Sequence, residues 1–144
     1  MKTIKQIILF SFIGLIMVSC ATSGPKYSEM VNSTPPLSNA EGRVYIYRTS
    51  ALGAAVQPDV KLDGNVVGKA VAKGFFYVDL AAGNHRIATS TEVERELTFH
   101  VGEGQTRYVR LDVSMGFFVA HVYPDLVEEE KAVSEIGDCH YIGK

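Results

Sequence analysis

The chain has 144 residues, 14 Lys plus Arg against 16 Asp plus Glu, 47% apolar side chains and no tryptophan. That length holds one small domain with a two-layer core. A net charge of −2 gives no electrostatic reason to bind nucleic acid and no general attraction to anionic headgroups.

Lys2 and Lys5 precede a twelve-residue, largely apolar stretch, Ile7 to Val18, interrupted only by Ser11 and Gly14. Crossing a bilayer takes about 20 apolar residues, so twelve has the length of a signal-peptide core. The stretch runs into Met17-Val18-Ser19-Cys20, which resembles the bacterial lipobox, although Met17 stands where Leu is more usual. The expected reading is a signal peptide over residues 1–19 and a mature chain that starts at a lipid-modified Cys20. The alternatives are an ordinary signal peptide followed by an incidental cysteine, or an uncleaved anchor. Several acyl chains on one cysteine hold a protein far more firmly than one chain does. Ala21, in place of an Asp that would favour inner-membrane retention, points to the outer membrane, facing the periplasm. Losing Lys2 and Lys5 leaves 12 basic against 16 acidic side chains, net −4.

Residues 20–40 are rich in Ser, Thr, Pro, Asn and Gly, show no hydrophobic period and read as a lipid-anchored flexible linker. From residue 41 to 144 the chain reads as a β-sandwich domain. Short runs of Val, Ile, Tyr and Phe alternate with Gly, Asp and Asn turns, which predicts strands over 43–49, 56–63, 66–71, 75–80, 85–91, 94–101, 106–114 and 117–123. Asp63-Gly64-Asn65 is a tight hairpin signal. No segment of helical period separates the strands, so the expected fold is mainly β: an antiparallel sandwich of about eight strands. The tail from Asp125 to Gly137 predicts one short helix, capped by Asp125, with Leu126, Val133 and Ile136 able to lie on a sheet.

Gly42-Arg43-Val44-Tyr45-Ile46-Tyr47-Arg48, then Val60 to Gly68 with its Leu62-Asp63-Gly64 core, then Ala82-Gly83-Asn84-His85, then Gly104 to Val109 together resemble the domain of unknown function 2846 family. The resemblance covers roughly residues 41–140, and it implies a bacterial lipoprotein with no known catalytic residues to carry over. The Leu-Asp-Gly and Gly-x-His portions also resemble PEGA-type surface modules, which are small β-sandwiches, with Ala82 standing where that pattern usually has Pro.

The sequence holds no nucleophile elbow, phosphate loop, His-Glu-x-x-His or Cys-x-x-Cys, and it calls for no cofactor or metal. His85, His100, His121 and His140 are scattered, and His85 beside its turn is expected to bond to backbone. Asp63, Asp79, Asp112 and Asp125 could pair for acid–base work only if the fold gathered them. With Cys20 lipidated, Cys139 has no partner in its own chain, leaving a free thiol or an intermolecular disulfide. Tyr45 and Tyr47 alternate with Val44 and Ile46 on one strand. Either the C-terminal helix covers them, or they form an aromatic patch for an envelope protein or glycan partner; they are the expected contact residues. The function expected is a non-enzymatic binding or assembly module anchored to a membrane of the cell envelope. The alternative is an envelope hydrolase or metal-dependent enzyme built from strand His and Asp residues.

Overall fold

The computed structural model describes residues 24–91 and 93–144; the signal-peptide and Cys20 readings fall outside them. Among the described residues nine strands follow one another as β1 (Glu41–Tyr47), β2 (Asp59–Leu62), β3 (Asn65–Lys69), β4 (Gly74–Ala81), β5 (Gly83–Ser90), β6 (Glu94–Val101), β7 (Thr106–Met115), β8 (Ala120–Val127) and β9 (His140–Tyr141). Two helices, α1 (Tyr27–Met30) and α2 (Glu129–Ile136), complete the elements, with a 3-10 turn over Val31–Ser33. A five-stranded sheet ordered β8-β7-β1-β4-β9 packs on a four-stranded sheet ordered β3-β2-β5-β6. This is the expected mainly β sandwich with a short C-terminal helix. The ninth strand is the two-residue β9.

Two of the ladders run parallel, β1 with β7 and β4 with β9, among otherwise antiparallel pairs. Between β1 and β7 the chain crosses to the second sheet twice, and a parallel pair needs a long connection of that kind. Local turn signals carry no information about it. They do define the hairpins. Asp63 and Gly64 both take positive φ, 50° and 86°, between the paired residues Leu62 and Asn65. A two-residue primed turn demands that conformation.

Val44, Ile46, Val60, Phe76, Ile87, Phe99, Val101, Val109, Leu111 and Val122 fill the space between the sheets. A second apolar cluster lies on the other face of the five-stranded sheet, where Tyr45, Tyr47, Phe75 and Tyr108 meet Tyr27 of α1 and Ala132 and Ile136 of α2. The helix is shorter than the sequence predicts. Asp125 and Leu126 belong to β8, opposite Arg110 and Val109, and α2 begins only at Glu129. Val133 faces solvent, and Ala132 and Ile136 make the buried contact.

The loop between β1 and β2 has no regular structure and is held by one cation. Arg48 is fully buried and donates to the carbonyls of Leu52, Gly53, Val56 and Ala70 at 2.6–3.0 Å. Burial, with no carboxylate among these partners, lowers the pKa of its guanidinium.

The described part of the expected linker is not free. The carbonyl of Pro25 accepts from the Tyr141 amide, the Tyr27 amide donates to the carbonyl of Cys139, and Lys26 pairs with Asp138 at 2.9 Å. Tyr27 is buried, its ring edge-on to Tyr45 at 5.2 Å and to Phe75 at 5.5 Å. The Pro35 carbonyl accepts from Arg43. One buried tyrosine and a few backbone bonds fix this segment, too few residues to show a hydrophobic period. Pro25, Lys26, Tyr27 and Pro35 thus pack on the sandwich. Tyr27→Ala should cost about 3 kcal/mol, as removal of a large buried aromatic side chain does. A fragment starting at residue 41 should melt below one starting at residue 24; equal melting temperatures would return the segment to the status of a linker.

Candidate functional site

The two tyrosines expected at a contact surface are core residues. Tyr45 is 4% exposed and Tyr47 is fully buried. Tyr45 stacks on Tyr108, centroids 5.5 Å apart and planes within 12°, with Tyr27 closing over it. The Tyr47 hydroxyl donates to Glu135 of α2 at 2.8 Å. Burial and that carboxylate push its deprotonation far above the ordinary tyrosine range. The covering helix, one of the two outcomes open from the sequence, is the one that occurs. Tyr45 and Tyr47 are withdrawn as contact residues.

Most of the charged and titratable groups are used in building the fold. The Arg43 guanidinium donates to both oxygens of Asp79, at 2.6 and 2.7 Å, and lies 4.5 Å above the Tyr77 ring. Arg110 gathers Asp112, Asp125 and Glu135 at 2.7–3.1 Å, tying β7, β8 and α2 together. Cys139 is buried, its thiol 3.8 Å from the Arg48 carbonyl and pushed up to about 11 by desolvation. A cysteine so enclosed is unavailable to a second chain unless the α2 region opens.

The four histidines take separate partners. His100 meets Asn84, His121 meets Thr91, and His140 meets the Gly24 carbonyl. Among the described residues no three His, Cys, Asp or Glu side chains gather as a metal site, and no helix is long and apolar enough to cross a membrane. Ser114 and His121 are cross-strand neighbours on β7 and β8 and share a shallow cleft with Arg95, Glu96 and Tyr123, but no hydrogen bond joins them.

His85 bonds to backbone as expected and to a carboxylate as well. Its Nδ1 lies 2.6 Å from Asp63 Oδ2 and its Nε2 lies 2.8 Å from the Ala81 carbonyl. Both partners are acceptors, so only the doubly protonated imidazolium satisfies both. Partial burial alone would lower the His85 pKa, but the Asp63 carboxylate and the Ala81 carbonyl outweigh it and raise it. The same contact and the Arg86 amide draw Asp63 down, against a desolvation effect that raises it. This pair locks the β2–β3 turn to the start of β5.

The exposed feature is elsewhere. Met115 pairs with Ala120, so residues 116–119 form the tip of the β7–β8 hairpin, closed by the Gly116 amide donating to the Val119 carbonyl. Phe117 and Phe118 are 95% and 88% exposed, edge-on to each other at 5.0 Å. Met115 is also exposed, and so is Leu52, whose loop brings Gly53 against Ala120. The sequence predicts a strand over 117–123; the strand instead starts at Ala120 and runs on through Pro124. Proline is tolerated there because β8 is an edge strand. The Gly116-Phe117-Phe118 order held the missed signal, a glycine turn directly before the aromatic pair. Burying a Phe side chain is worth about 1.5–3 kcal/mol, so this tip is the strongest apolar contact point among the described residues.

The His85–Asp63 pair makes a pH prediction. A raised histidine pKa adds stability that is complete below the ordinary 6.5 and lost as pH rises through the folded value. The lowered Asp63 pKa adds stability present above the ordinary 3.8 and lost as pH falls through its folded value. Thermal melts between about pH 5 and 9 should show the wild type losing its advantage over His85→Gln as pH rises past 6.5. Parallel curves for the two proteins would show that the contact contributes nothing.

Residues 38–123 match the family described as "Protein of unknown function (DUF2846)". An "Uncharacterized protein" of Haemophilus influenzae (strain ATCC 51907 / DSM 11121 / KW20 / Rd) is 29% identical over 131 residues, covering 86% of this chain and 78% of that protein. No solved structure matches the chain. The family match takes in β1 through the first half of β8 and the Phe117-Phe118 tip, and on that extent the chain belongs to the DUF2846 family.

Proposed function

We propose that the protein is a lipoprotein of the cell envelope, anchored through Cys20 to the outer membrane on its periplasmic side, and that it acts by macromolecular contact and not by turnover. The observation that carries this reading is the Phe117-Phe118 tip. Two adjacent phenylalanines, almost wholly exposed on a closed hairpin, are a cost in solubility that a purely structural turn has no need of. Aromatic side chains bury large areas on contact with few rotamers to freeze, which is why interfaces favour them. An anchor raises the effective concentration of such a tip for neighbours at the same membrane. The partner expected is an envelope protein or glycan. The competing reading, an envelope hydrolase, has only the Ser114–His121 cleft in its favour.

Two measurements test the reading. Mass spectrometry of the membrane fraction should find a mature N-terminus at an acylated Cys20; an unmodified N-terminus elsewhere removes the anchor. Photo-crosslinking in intact cells should yield a specific envelope adduct with the wild type that is lost in Phe117→Ser/Phe118→Ser. The paired substitution should shift stability by no more than about 0.5 kcal/mol, since the rings touch little of the fold. An adduct pattern unchanged by the substitution, or hydrolysis of an envelope substrate by the purified protein, would sink the contact reading.

A further inference from the structure

The two sheets part along one side of the sandwich, between the edge strands β3 and β9. A groove of about 530 Å³ opens there. Val66, Val67, Val71 and Ile142 line it, and Phe76 of the main core forms its floor. Val66 is 58% exposed. Gly68 keeps the floor accessible, because a Cβ at that position would stand 2.7 Å from the Phe76 ring. Lys69 and Lys144 stand on the rim.

The described chain begins at this same edge. The Gly24 carbonyl is 2.8 Å from His140 Nδ1, and the Pro25 carbonyl accepts from the Tyr141 amide. Cys20 lies four residues upstream of Gly24. Four residues span at most roughly 14 Å, so an anchor at Cys20 holds this edge close to the lipid.

Charge runs the same way. Lys26 and Lys73 join Lys69 and Lys144 along the edge; Lys69 and Lys26 carry Asp59 and Asp138 as partners. The acidic run Glu128-Glu129-Glu130 begins α2 beside Gly104–Tyr108, at the opposite edge of the five-stranded sheet. Lysines on apolar stems beside an apolar groove suit a headgroup layer, with the ammonium groups among phosphates and the methylenes below them.

From these placements we infer that the β3/β9 edge is the face laid against the bilayer that carries Cys20, with Val66, Val71 and Ile142 at the level of the headgroup–acyl boundary. The inference rests on the anchoring reading and adds the orientation. It also sets the Phe117-Phe118 tip apart from the membrane contact. His140 is level with Gly74 and Tyr141 with Phe75 and hence with Tyr47, Tyr47 is level with Arg110, and Met115 lies five residues further along β7. That is roughly 14 Å across three strand spacings and roughly 17 Å along the strand. The tip is therefore left free for a partner.

The absence of tryptophan makes the test direct. Full-length lipidated Val66→Trp, Lys144→Trp and Phe118→Trp proteins are reconstituted on vesicles of phosphatidylethanolamine and phosphatidylglycerol with brominated acyl chains, which quench tryptophan on contact. Emission at 66 and 144 should be largely lost relative to unbrominated vesicles, and emission at 118 retained. Proteins that float with the vesicles but keep full emission at both 66 and 144, or lose it at 118, overturn the orientation while the anchor stands. Proteins that do not float and carry an unmodified Cys20 overturn both.

Discussion

The structure depends on a single strand being buried on both faces. β1 turns Val44 and Ile46 towards the second sheet and Tyr45 and Tyr47 towards the helices, and none of the four is accessible to water beyond a trace. A strand in the middle of a five-stranded sheet needs cover above and below, and 125 residues after the expected cleavage provide only a thin sandwich for one side. α1 and α2 supply the other. Their packing is aromatic because the layer is narrow. Tyr27, Tyr45 and Tyr108 reach across it with ring contacts that add about 0.5–1.5 kcal/mol each beyond the area they bury. The Tyr27 and Tyr108 hydroxyls close on each other at 3.1 Å, and the Tyr47 hydroxyl closes on Glu135.

That second layer explains the concentration of charge behind it. Glu135 receives the Tyr47 hydroxyl and the Arg110 guanidinium together, and Arg110 in turn holds Asp125 of the edge strand. A carboxylate facing a sheet from a helix has two positive or donating groups to satisfy it and costs little to desolvate. Asp112 and Asp125, two of the acid–base candidates, are thus joined with Glu135 of the helix around Arg110. The Arg43–Asp79 pair ties β1 to β4 and holds the carbonyl of Pro35 against them.

Much of the fold was legible because the signals were local. The alternation of Leu97, Phe99 and Val101 marks β6 and the Asp63-Gly64 pair marks the β2–β3 hairpin, and both follow from properties of neighbouring residues. What escaped was set by pairing over distance. The Phe117-Phe118-Val119 run has the composition of a strand; Gly116 is the one local sign of a turn, and the register of β7 with β8 places the run in it. Nothing near Tyr27 indicates a packing site; the pocket it enters is assembled from β1, β4, β7 and α2. The burial of Tyr45 and Tyr47 was left open between two outcomes for the same reason, since the cover comes from residues some 90 positions later. The groove beside β3 was invisible from sequence because exposure is a property of what fails to pack.

The order in which the chain leaves the ribosome meets an awkward architecture. β1 has as its neighbours β4, which begins 27 residues after it ends, and β7, which follows β4 by way of the other sheet. The segment around Pro25 and Tyr27 waits longer still, because its backbone partners are Cys139 and Tyr141. An emerging N-terminal half cannot form the central sheet or close the aromatic layer, and pairings this distant in sequence are slow to nucleate. The aromatic layer consequently cannot close over β1 until residues near the C-terminus are available to hold the segment around Tyr27.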